Sequence, residues 1–331
     1  MAAAVPGKPA CGPAAEQGPG RRCGRRDPAG AKSTMMVRSV PGPWALRLLS
    51  CIRFDEVLVL QGTPLLGATF AASYCYSVGH NAMALLLLVA GNVLLVAHVF
   101  LLNDWSGVHQ DLRDPARTAG VFLQRGVRRS EIGWLLLVLL AASLAIFSQL
   151  GQVTLLVALM IAAASALYSA PRVHWKGVPL ANSFLHVVGG VLHFLLGYSI
   201  FQGVDAKGME IGLFFAAVFS AGHLVQEVRD HEADLRNGIR TNAVMFGKRR
   251  IFATSFLLFT LANALLLVLA LTGSVPEVLC LVVALYPLHL YWSLQAWREG
   301  LTGGSVRRLQ MRYRWLYAGI GAAMVASVLW A

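Results

Sequence analysis

Long apolar runs alternate with short polar segments along most of this chain. Nine of these runs have lengths near the roughly 20 residues that a helix needs to cross a bilayer. A backbone in lipid has to satisfy its hydrogen bonds internally, so each run is predicted to be a helix. The predicted spans are 56–76, 81–102, 133–149, 153–169, 180–201, 210–226, 251–272, 275–296 and 311–331.

The composition supports an all-α, polytopic membrane protein. The 331 residues are 56% hydrophobic and only 13% charged, which is too apolar for a soluble fold of this length. Residues 1–50 are rich in Ala, Gly, Pro and Arg, and are predicted to form a disordered basic cytoplasmic segment ahead of a transmembrane domain at 51–331. Five scattered cysteines indicate neither a disulfide framework nor a zinc site.

The basic residues fall almost entirely on one predicted side of the membrane. If the N-terminus is cytoplasmic, 27 of the 28 lysines and arginines are cytoplasmic, and only Lys207 lies on the other side. The positive-inside rule therefore predicts a multi-pass protein with a cytoplasmic N-terminus. Attraction to anionic membrane lipid accounts for the net charge of +12, so no nucleic-acid partner is expected.

Two acidic segments occur at the ends of predicted spans, on the same predicted cytoplasmic side. NDWSGVHQD at 103–111 follows the second span, and DHEAD at 230–234 follows the sixth. On a helix, Asp104 and Asp111 (i, i+7) share one face, as do Asp230 and Asp234 (i, i+4). We therefore expect two carboxylate-bearing helix ends to face one cavity.

Carboxylates gathered near a membrane need a positive partner. Hard oxygen ligands, with the amide of Asn103 beside them, suit Mg²⁺, which typically takes one or two carboxylates together with phosphate oxygens of a substrate. The alternative is that the acids pair with nearby arginines in a solvated loop. The arginines available for such pairing are Arg113, Arg117, Arg229 and Arg236.

Further basic residues lie on the same predicted face of the membrane. The segment YSAPRVHWK carries Tyr168, Arg172 and Lys176, and Arg240 follows a predicted helix stop at Asn237-Gly238. Arginine can bind phosphate oxygens through two N–H groups, and lysine supplies a point charge. These residues are candidates for diphosphate binding, although positive-inside anchoring explains Arg172 and Lys176 equally well.

The two acidic motifs resemble those of the UbiA superfamily of intramembrane prenyltransferases, which carry N-D-x-x-D-x-x-x-D after the second helix and D-x-x-x-D after the sixth. LRNGIRT at 235–241 and Phe246-Gly247 resemble the end of the family's second loop. Tyr168-Ser169-Ala170-Pro171 with Lys176 resembles its loop after the fourth helix. The likeness covers about residues 50–331 and implies nine transmembrane helices around a central cavity.

The chain departs from the family pattern at one position of the first motif, where Gly107 replaces the middle aspartate. A glycine offers no side-chain ligand, so fewer ions or looser binding are expected. Glu227, His109 and Asp114 are possible substitutes. The basic stretch after the motif is also altered, and Arg117 is its candidate phosphate-binding arginine.

The resemblance implies a Mg²⁺-dependent prenyltransferase that moves an isoprenyl group from an isoprenyl diphosphate to a small acceptor, typically aromatic, with release of diphosphate. It makes Asp104, Asp111, Asp230 and Asp234 the metal ligands with Asn103, and adds Lys176 to the four aspartates as catalytic residues. The expected substrate-binding residues are Asn103, Arg117, Tyr168, Arg172, Arg229 and Arg240.

Other interpretations remain open at the level of sequence. An intramembrane terpene cyclase would ionise the same diphosphate and let the chain's own double bond quench the cation. A transporter or a lipid-binding subunit would also carry intramembrane acids, although transporters tend to place them near the bilayer midplane. Tyr168, Trp105 or Phe184 could stabilise a carbocation through cation–π contacts, but plain packing explains such aromatic residues more simply.

Overall fold

The computed structural model describes residues 43–72, 78–112, 118, 120–173 and 175–330. The chain divides into two units, Met1–Met36 and Val37–Ala331, and every described residue belongs to the second. The regular structure of the described residues is entirely helical, which confirms the predicted all-α class. Most of the predicted N-terminal segment lies outside the described residues.

The described residues form thirteen α-helices and two short 3₁₀ turns, the latter at Phe122–Arg125 and Trp175–Gly177. The α-helices are α1 (Trp44–Leu49), α2 (Phe54–Val59), α3 (Gly62–Ala72), α4 (Val78–Asp111), α5 (Arg129–Leu150), α6 (Gln152–Ser169), α7 (Ala181–Tyr198), α8 (Ala206–Arg236), α9 (Asn242–Phe246), α10 (Lys248–Leu271), α11 (Leu279–Val283), α12 (Tyr286–Arg298) and α13 (Gly303–Trp330).

Seven helical segments within the described residues are long and apolar enough to cross a membrane. They are Asn81–Asp111, Arg129–Leu150, Gln152–Ser169, Ala181–Tyr198, Ala206–Arg236, Lys248–Leu271 and Leu279–Arg298. A polytopic membrane protein is therefore the correct class, whereas the number of nine spans stays a prediction.

The other two predicted spans are the first and the last. Span 56–76 is divided between α2 and α3, and residues 73–77 lie outside the described part of the chain. Of span 311–331, the described residues 311–330 belong to α13, which starts earlier, at Gly303. Its first half carries four arginines, at positions 307, 308, 312 and 314. These charges lower the apolar character on which the span prediction rests.

Helices α4 and α8 continue well beyond the apolar runs that predicted them. The predicted spans end at 102 and 226, but the helices end at Asp111 and Arg236. A helix satisfies its own backbone hydrogen bonds, so it can continue with polar side chains where it leaves the lipid. Gly238 follows with φ of +67°, which confirms the predicted helix stop. Both acidic motifs thus lie in the last turns of long helices.

Glycines allow α7 to lie very close to its neighbours α3 and α8. A Cβ atom on Gly197 of α7 would overlap the carbonyl oxygen of Pro64 in α3, and one on Gly190 would lie 2.6 Å from Cα of Ala216 in α8. Small residues that let helix backbones approach are a common means of helix association in membranes. These contacts hold α7 and α8 side by side, which matters because both line the candidate site.

The close contact at Gly197 leads to a stability prediction. Gly197→Ala should destabilise the protein by about 1–3 kcal/mol or more, because the added methyl group meets backbone atoms that cannot rotate away. Gly189→Ala on the same helix is the matched control, since a Cβ there meets no atom within 4 Å. Thermal unfolding in detergent measures both. Equal midpoints for the two variants would contradict the close packing of α7 on α3.

Candidate functional site

The two acidic helix ends line one cavity of about 1640 Å³. Asp104 and Asp111 reach it from α4, and Asp230 and Asp234 reach it from α8. The rest of its wall is largely apolar and comes from several of the membrane-spanning helices. The structure thus brings the four predicted aspartates to a common space.

The first motif is held by contacts from two distant parts of the chain. Arg53, directly before α2, binds both carboxylate oxygens of Asp104, with its Nε 3.0 Å from Oδ2. Lys176, in the 3₁₀ turn after α6, donates to Oδ1 of Asn103 at 3.2 Å. Two cations therefore already lie beside the first motif, as expected for a place that receives an anionic head group.

The second motif is also paired with an arginine. Arg229 donates through Nε and one terminal nitrogen to the two oxygens of Asp230, both at 2.8 Å, and through its other terminal nitrogen to Gln310 on α13. The alternative of arginine pairing thus holds for Asp230 with one of the arginines expected, and for Asp104 with Arg53. Both arginines line the cavity and can serve a bound anion as well as the carboxylates.

Glu227, one turn before Asp230, is buried in a separate hydrogen-bond network. Its Oε1 accepts from Nδ2 of Asn182 at 2.7 Å, Nδ2 of Asn242 at 3.1 Å and Nε2 of His223 at 3.1 Å. Its Oε2 accepts from the backbone N–H of Ala243 at 3.1 Å. The carboxylate therefore joins α7, α8 and α9, and its oxygens are occupied by these donors rather than open to a metal.

The remaining predicted site residues are placed differently. Tyr168 lines the cavity, whereas Arg172 and Arg240 are exposed and do not line it. The Nε of Arg240 instead lies 3.4 Å from Sδ of Met245. His109 is exposed away from the cavity. Arg117, like Arg113 and Asp114, lies outside the described residues.

Of the three aromatic residues that could stabilise a carbocation, two do not line the cavity. Nε1 of Trp105 donates to the carbonyl oxygen of Arg129 at 3.1 Å, and the Arg129 guanidinium lies 4.3 Å from the Trp105 ring. Trp105 therefore packs against the start of α5. Phe184 is exposed and does not line the cavity, so only Tyr168 of the three faces it.

The donor set suits a magnesium ion shared with an anionic ligand. No three His, Cys, Asp or Glu side chains in the described part of the chain lie close enough to form a metal cage on their own. Mg²⁺ does not require such a cage, because it keeps waters and completes its shell with phosphate oxygens. Carboxylates from two helix ends that line one cavity, with the Asn103 amide beside Lys176, fit this mode of binding.

The space at Gly107 leads to a second prediction. A Cβ there would lie 3.7 Å from Oδ2 of Asp111, which is ordinary contact. Gly107→Asp should therefore be accommodated, and should lower the half-saturating Mg²⁺ concentration roughly threefold to tenfold, the effect of about 1 kcal/mol of added attraction. Gly107→Asn controls for size without charge. A sharp fall in activity would instead mean that the site is built around the glycine.

Several residues of this site are absent from the expectations drawn from sequence. Arg53 was counted among the basic residues before the first span, and nothing in its spacing links it to Asp104, 51 positions away. Asn182, His186 and His223 lie inside predicted spans, where a polar residue carries no motif, and Asn242 directly follows the segment LRNGIRT. The position of the first three as polar residues inside predicted spans was the one signal in the sequence that could have pointed to a functional role.

The fold and the site define a helical membrane protein that presents paired carboxylates to an apolar cavity. The family model of the UbiA prenyltransferase family matches residues 65–327. The chain therefore belongs to the UbiA prenyltransferase family. The comparison with curated proteins finds no match.

Solved structures similar to this chain have the same fold. A UbiA homolog from Archaeoglobus fulgidus bound to GPP and Mg²⁺ is 18% identical, with 86% of this chain and 98% of that chain covered and a TM-score of 0.63. The same homolog bound to DMAPP and Mg²⁺ is 19% identical, with 85% and 98% covered and a TM-score of 0.61. A structure described in connection with digeranylgeranylglyceryl phosphate synthase in membranes is 16% identical, with 87% and 99% covered and a TM-score of 0.67.

Proposed function

We propose that this protein is a Mg²⁺-dependent intramembrane prenyltransferase, which moves an isoprenyl group from an isoprenyl diphosphate to a small acceptor and releases diphosphate. An aromatic ring is the acceptor class that we favour. The observation that carries this proposal is the convergence of Asp104, Asp111, Asp230 and Asp234 on one largely apolar cavity within membrane-spanning helices. Membership of the UbiA prenyltransferase family supports the reaction class.

The diphosphate head would lie between the two acidic helix ends. The four aspartates, with Asn103, would hold Mg²⁺, which supplies positive charge to the leaving diphosphate when bound. Lys176, Arg53 and Arg229 would bind the remaining phosphate oxygens from the positions that they already occupy beside the motifs. Arg172 and Arg240 are weaker candidates for this task, because they are exposed and do not line the cavity. Arg117, which lies outside the described residues, stays a candidate from its sequence position.

The apolar part of the cavity would hold the isoprenyl chain. It keeps water away from the allylic cation that forms when the C1–oxygen bond breaks and both electrons leave with the diphosphate. The electron-rich ring of Tyr168 lines this space and can face the cation. The acceptor then donates an electron pair to C1 and loses a proton.

The A. fulgidus homolog, which binds GPP or DMAPP with Mg²⁺, supports an isoprenyl diphosphate as the donor class here. Membrane lipid is the expected surrounding of the helices. We place the N-terminus and both acidic helix ends on the cytoplasmic side, because nearly all lysines and arginines then lie on that side.

Two other functions compete with transfer. A terpene cyclase would use the same carboxylates and need no acceptor. A transporter or lipid-binding subunit would bind a ligand without turnover. The cavity with acids at one end and an apolar body favours ionisation of a bound diphosphate over transport, since transporters place their acids near the membrane centre.

The test is a product assay with the purified protein in lipid nanodiscs. Dimethylallyl, geranyl and farnesyl diphosphates are supplied with Mg²⁺, with and without a panel of aromatic acceptors, and products are identified by mass spectrometry. We expect acceptor-linked isoprenyl products that disappear with EDTA. A terpene hydrocarbon formed without acceptor would favour the cyclase, and binding without any turnover would contradict both enzymes.

A further inference from the structure

Two histidines form a stacked pair inside the cavity, on the helices that carry the second motif and its neighbour. The rings of His186 on α7 and His223 on α8 lie 3.4 Å apart at an interplanar angle of 10°. Both residues line the cavity. Tyr168 packs edge-on against His186 at 5.3 Å between ring centroids, and Phe219 stacks on its ring at 5.5 Å.

The hydrogen bonds of the pair determine which nitrogen of each ring carries the proton. Nδ1 of His186 lies 2.9 Å from the carbonyl oxygen of Asn182, which can only accept, so the proton is on Nδ1. Nε2 of His223 lies 3.1 Å from the Glu227 carboxylate, which also accepts three N–H donors, so the proton is on Nε2. In its neutral form, each ring therefore keeps one nitrogen with a free lone pair.

These two lone-pair nitrogens are accessible. Nε2 of His186 and Nδ1 of His223 have no hydrogen-bond partner among the described residues, and neither is among the buried side-chain atoms that lack one. The cavity is the space that both residues line. When both rings are neutral, the pair thus presents two hydrogen-bond acceptors, and no donor, to the ligand in that part of the cavity.

The pair lies on the same face of α8 as the second motif. His223, Glu227, Asp230 and Asp234 follow one another at i, i+4, i+7 and i+11, so all four share one face of the helix. The seven residues between His223 and Asp230 correspond to about 10 Å along the helix, toward its apolar half. A ligand with its head at Asp230 would place the atoms next to that head between the motif and the histidines.

We propose that His223, oriented by Glu227, is the general base of the transfer, and that the acceptor is an uncharged compound that presents a hydroxyl hydrogen to this pair. This inference rests on the proposed function. His223 has the better position of the two for a base, because the carboxylate of Glu227 stabilises the imidazolium that forms. His186 stacks on the His223 ring and would accept a hydrogen bond from the acceptor compound, which makes it a positioning residue.

The C1–oxygen bond of the isoprenyl diphosphate breaks and its electron pair leaves with the diphosphate. A lone pair or ring π pair of the acceptor forms the new bond to C1, and the proton that the acceptor loses goes to Nδ1 of His223. The imidazolium then returns that proton to water or to the released diphosphate.

The surroundings of the pair favour an uncharged acceptor. Among the described residues, the hydrogen bonds and further ring contacts of the two imidazoles come from Tyr168, Phe219, Asn182 and Glu227, and none of these four is a cation. The lone pairs of the two histidine nitrogens and the carboxylate of Glu227 would repel an acceptor that carried a carboxylate of its own. A phenolic or alcoholic hydroxyl instead satisfies the free nitrogen, which makes hydroxyl-bearing compounds the matching class.

Nitrogen NMR tests this inference without any turnover. Protein with ¹⁵N-labelled histidine is placed in nanodiscs, and His223→Gln assigns the signals. We expect a neutral His223 with its proton on Nε2, and a shift of its Nδ1 signal with hydroquinone but not with hydroquinone dimethyl ether. A proton on Nδ1, a doubly protonated ring, or equal responses to both probes would overturn the inference.

The transfer assay tests the catalytic part, with geranyl diphosphate, Mg²⁺ and hydroquinone as probes. His223→Gln keeps an N–H donor for Glu227 but has no base, so kcat should fall about 100-fold or more with the KM for geranyl diphosphate unchanged. Imidazole should restore part of the rate to His223→Ala. His98→Gln is the control, because it removes a buried imidazole that does not line the cavity.

The outcomes separate this inference from the proposed function. If His223→Gln transfers within threefold of the wild-type rate, His223 is not the base. If the wild type releases diphosphate but prenylates no hydroxyl-bearing probe, the acceptor class is wrong. If the wild type neither binds nor ionises geranyl diphosphate, the proposed function fails, and the tautomers and probe responses of the histidines are still decided by NMR.

Discussion

Asp111→Ala and Asp230→Ala are each expected to lower the rate of isoprenyl transfer by at least about 100-fold, the loss seen when one group that stabilises developing charge is removed. Both carboxylates line the cavity near helix C-termini. Asp111 is the last residue of α4, where negative charge opposes the helix dipole.

The measurement has two parts, the rate of transfer in nanodiscs and the thermal midpoint in detergent. Asp111→Ala should lower the transfer rate about 100-fold or more while the protein still unfolds in one cooperative thermal transition. Glu232→Gln is the matched control, because Glu232 lies on α8 with Asp230 but is exposed and does not line the cavity. It pairs instead with Lys248 at 3.0 Å. Full turnover in both aspartate variants would show that the acids do not hold the metal.

Glu227→Gln should destabilise the protein by about 3 kcal/mol, because a buried carboxylate with four N–H donors would become an amide whose NH₂ group faces some of them. Only 4% of Glu227 is exposed, so water cannot replace the lost acceptor. Thermal unfolding in detergent measures the effect. The control is again Glu232→Gln, whose exposed ion pair contributes little.

The same variant decides what Glu227 does. If it restored the carboxylate that is missing at position 107, Glu227→Gln would weaken Mg²⁺ binding while the thermal midpoint stayed near that of the wild type. That result would contradict the structural role assigned here. A lowered midpoint with normal Mg²⁺ dependence of the remaining activity would support it.

The pattern of apolar and polar residues was sufficient to predict the all-α membrane class and the four aspartates that line the cavity. Apolar runs near bilayer length predict membrane helices because lipid leaves the backbone no other choice, and seven such helices are present in the described residues. The spacing of Asp104 and Asp111, and of Asp230 and Asp234, predicted shared faces that indeed point to one cavity. Both signals are local, so they can be read from neighbouring positions.

Span number and helix ends were less predictable. Helices α4 and α8 continue past the lipid into polar sequence, where hydropathy no longer marks them. The nine-span count depended on the first and last runs. The first of these is divided between two helices, and the second begins among arginines.

The sequence by itself determined the membrane class, the acidic motifs and their faces, because each follows from the composition or period of a short segment. Only the tertiary structure decided which partners meet those motifs. Arg53 reaches Asp104, Glu227 joins three helices, and His186 stacks on His223. Such contacts join residues tens of positions apart through the packing of helices at glycine contacts, and spacing along the chain carries no record of them.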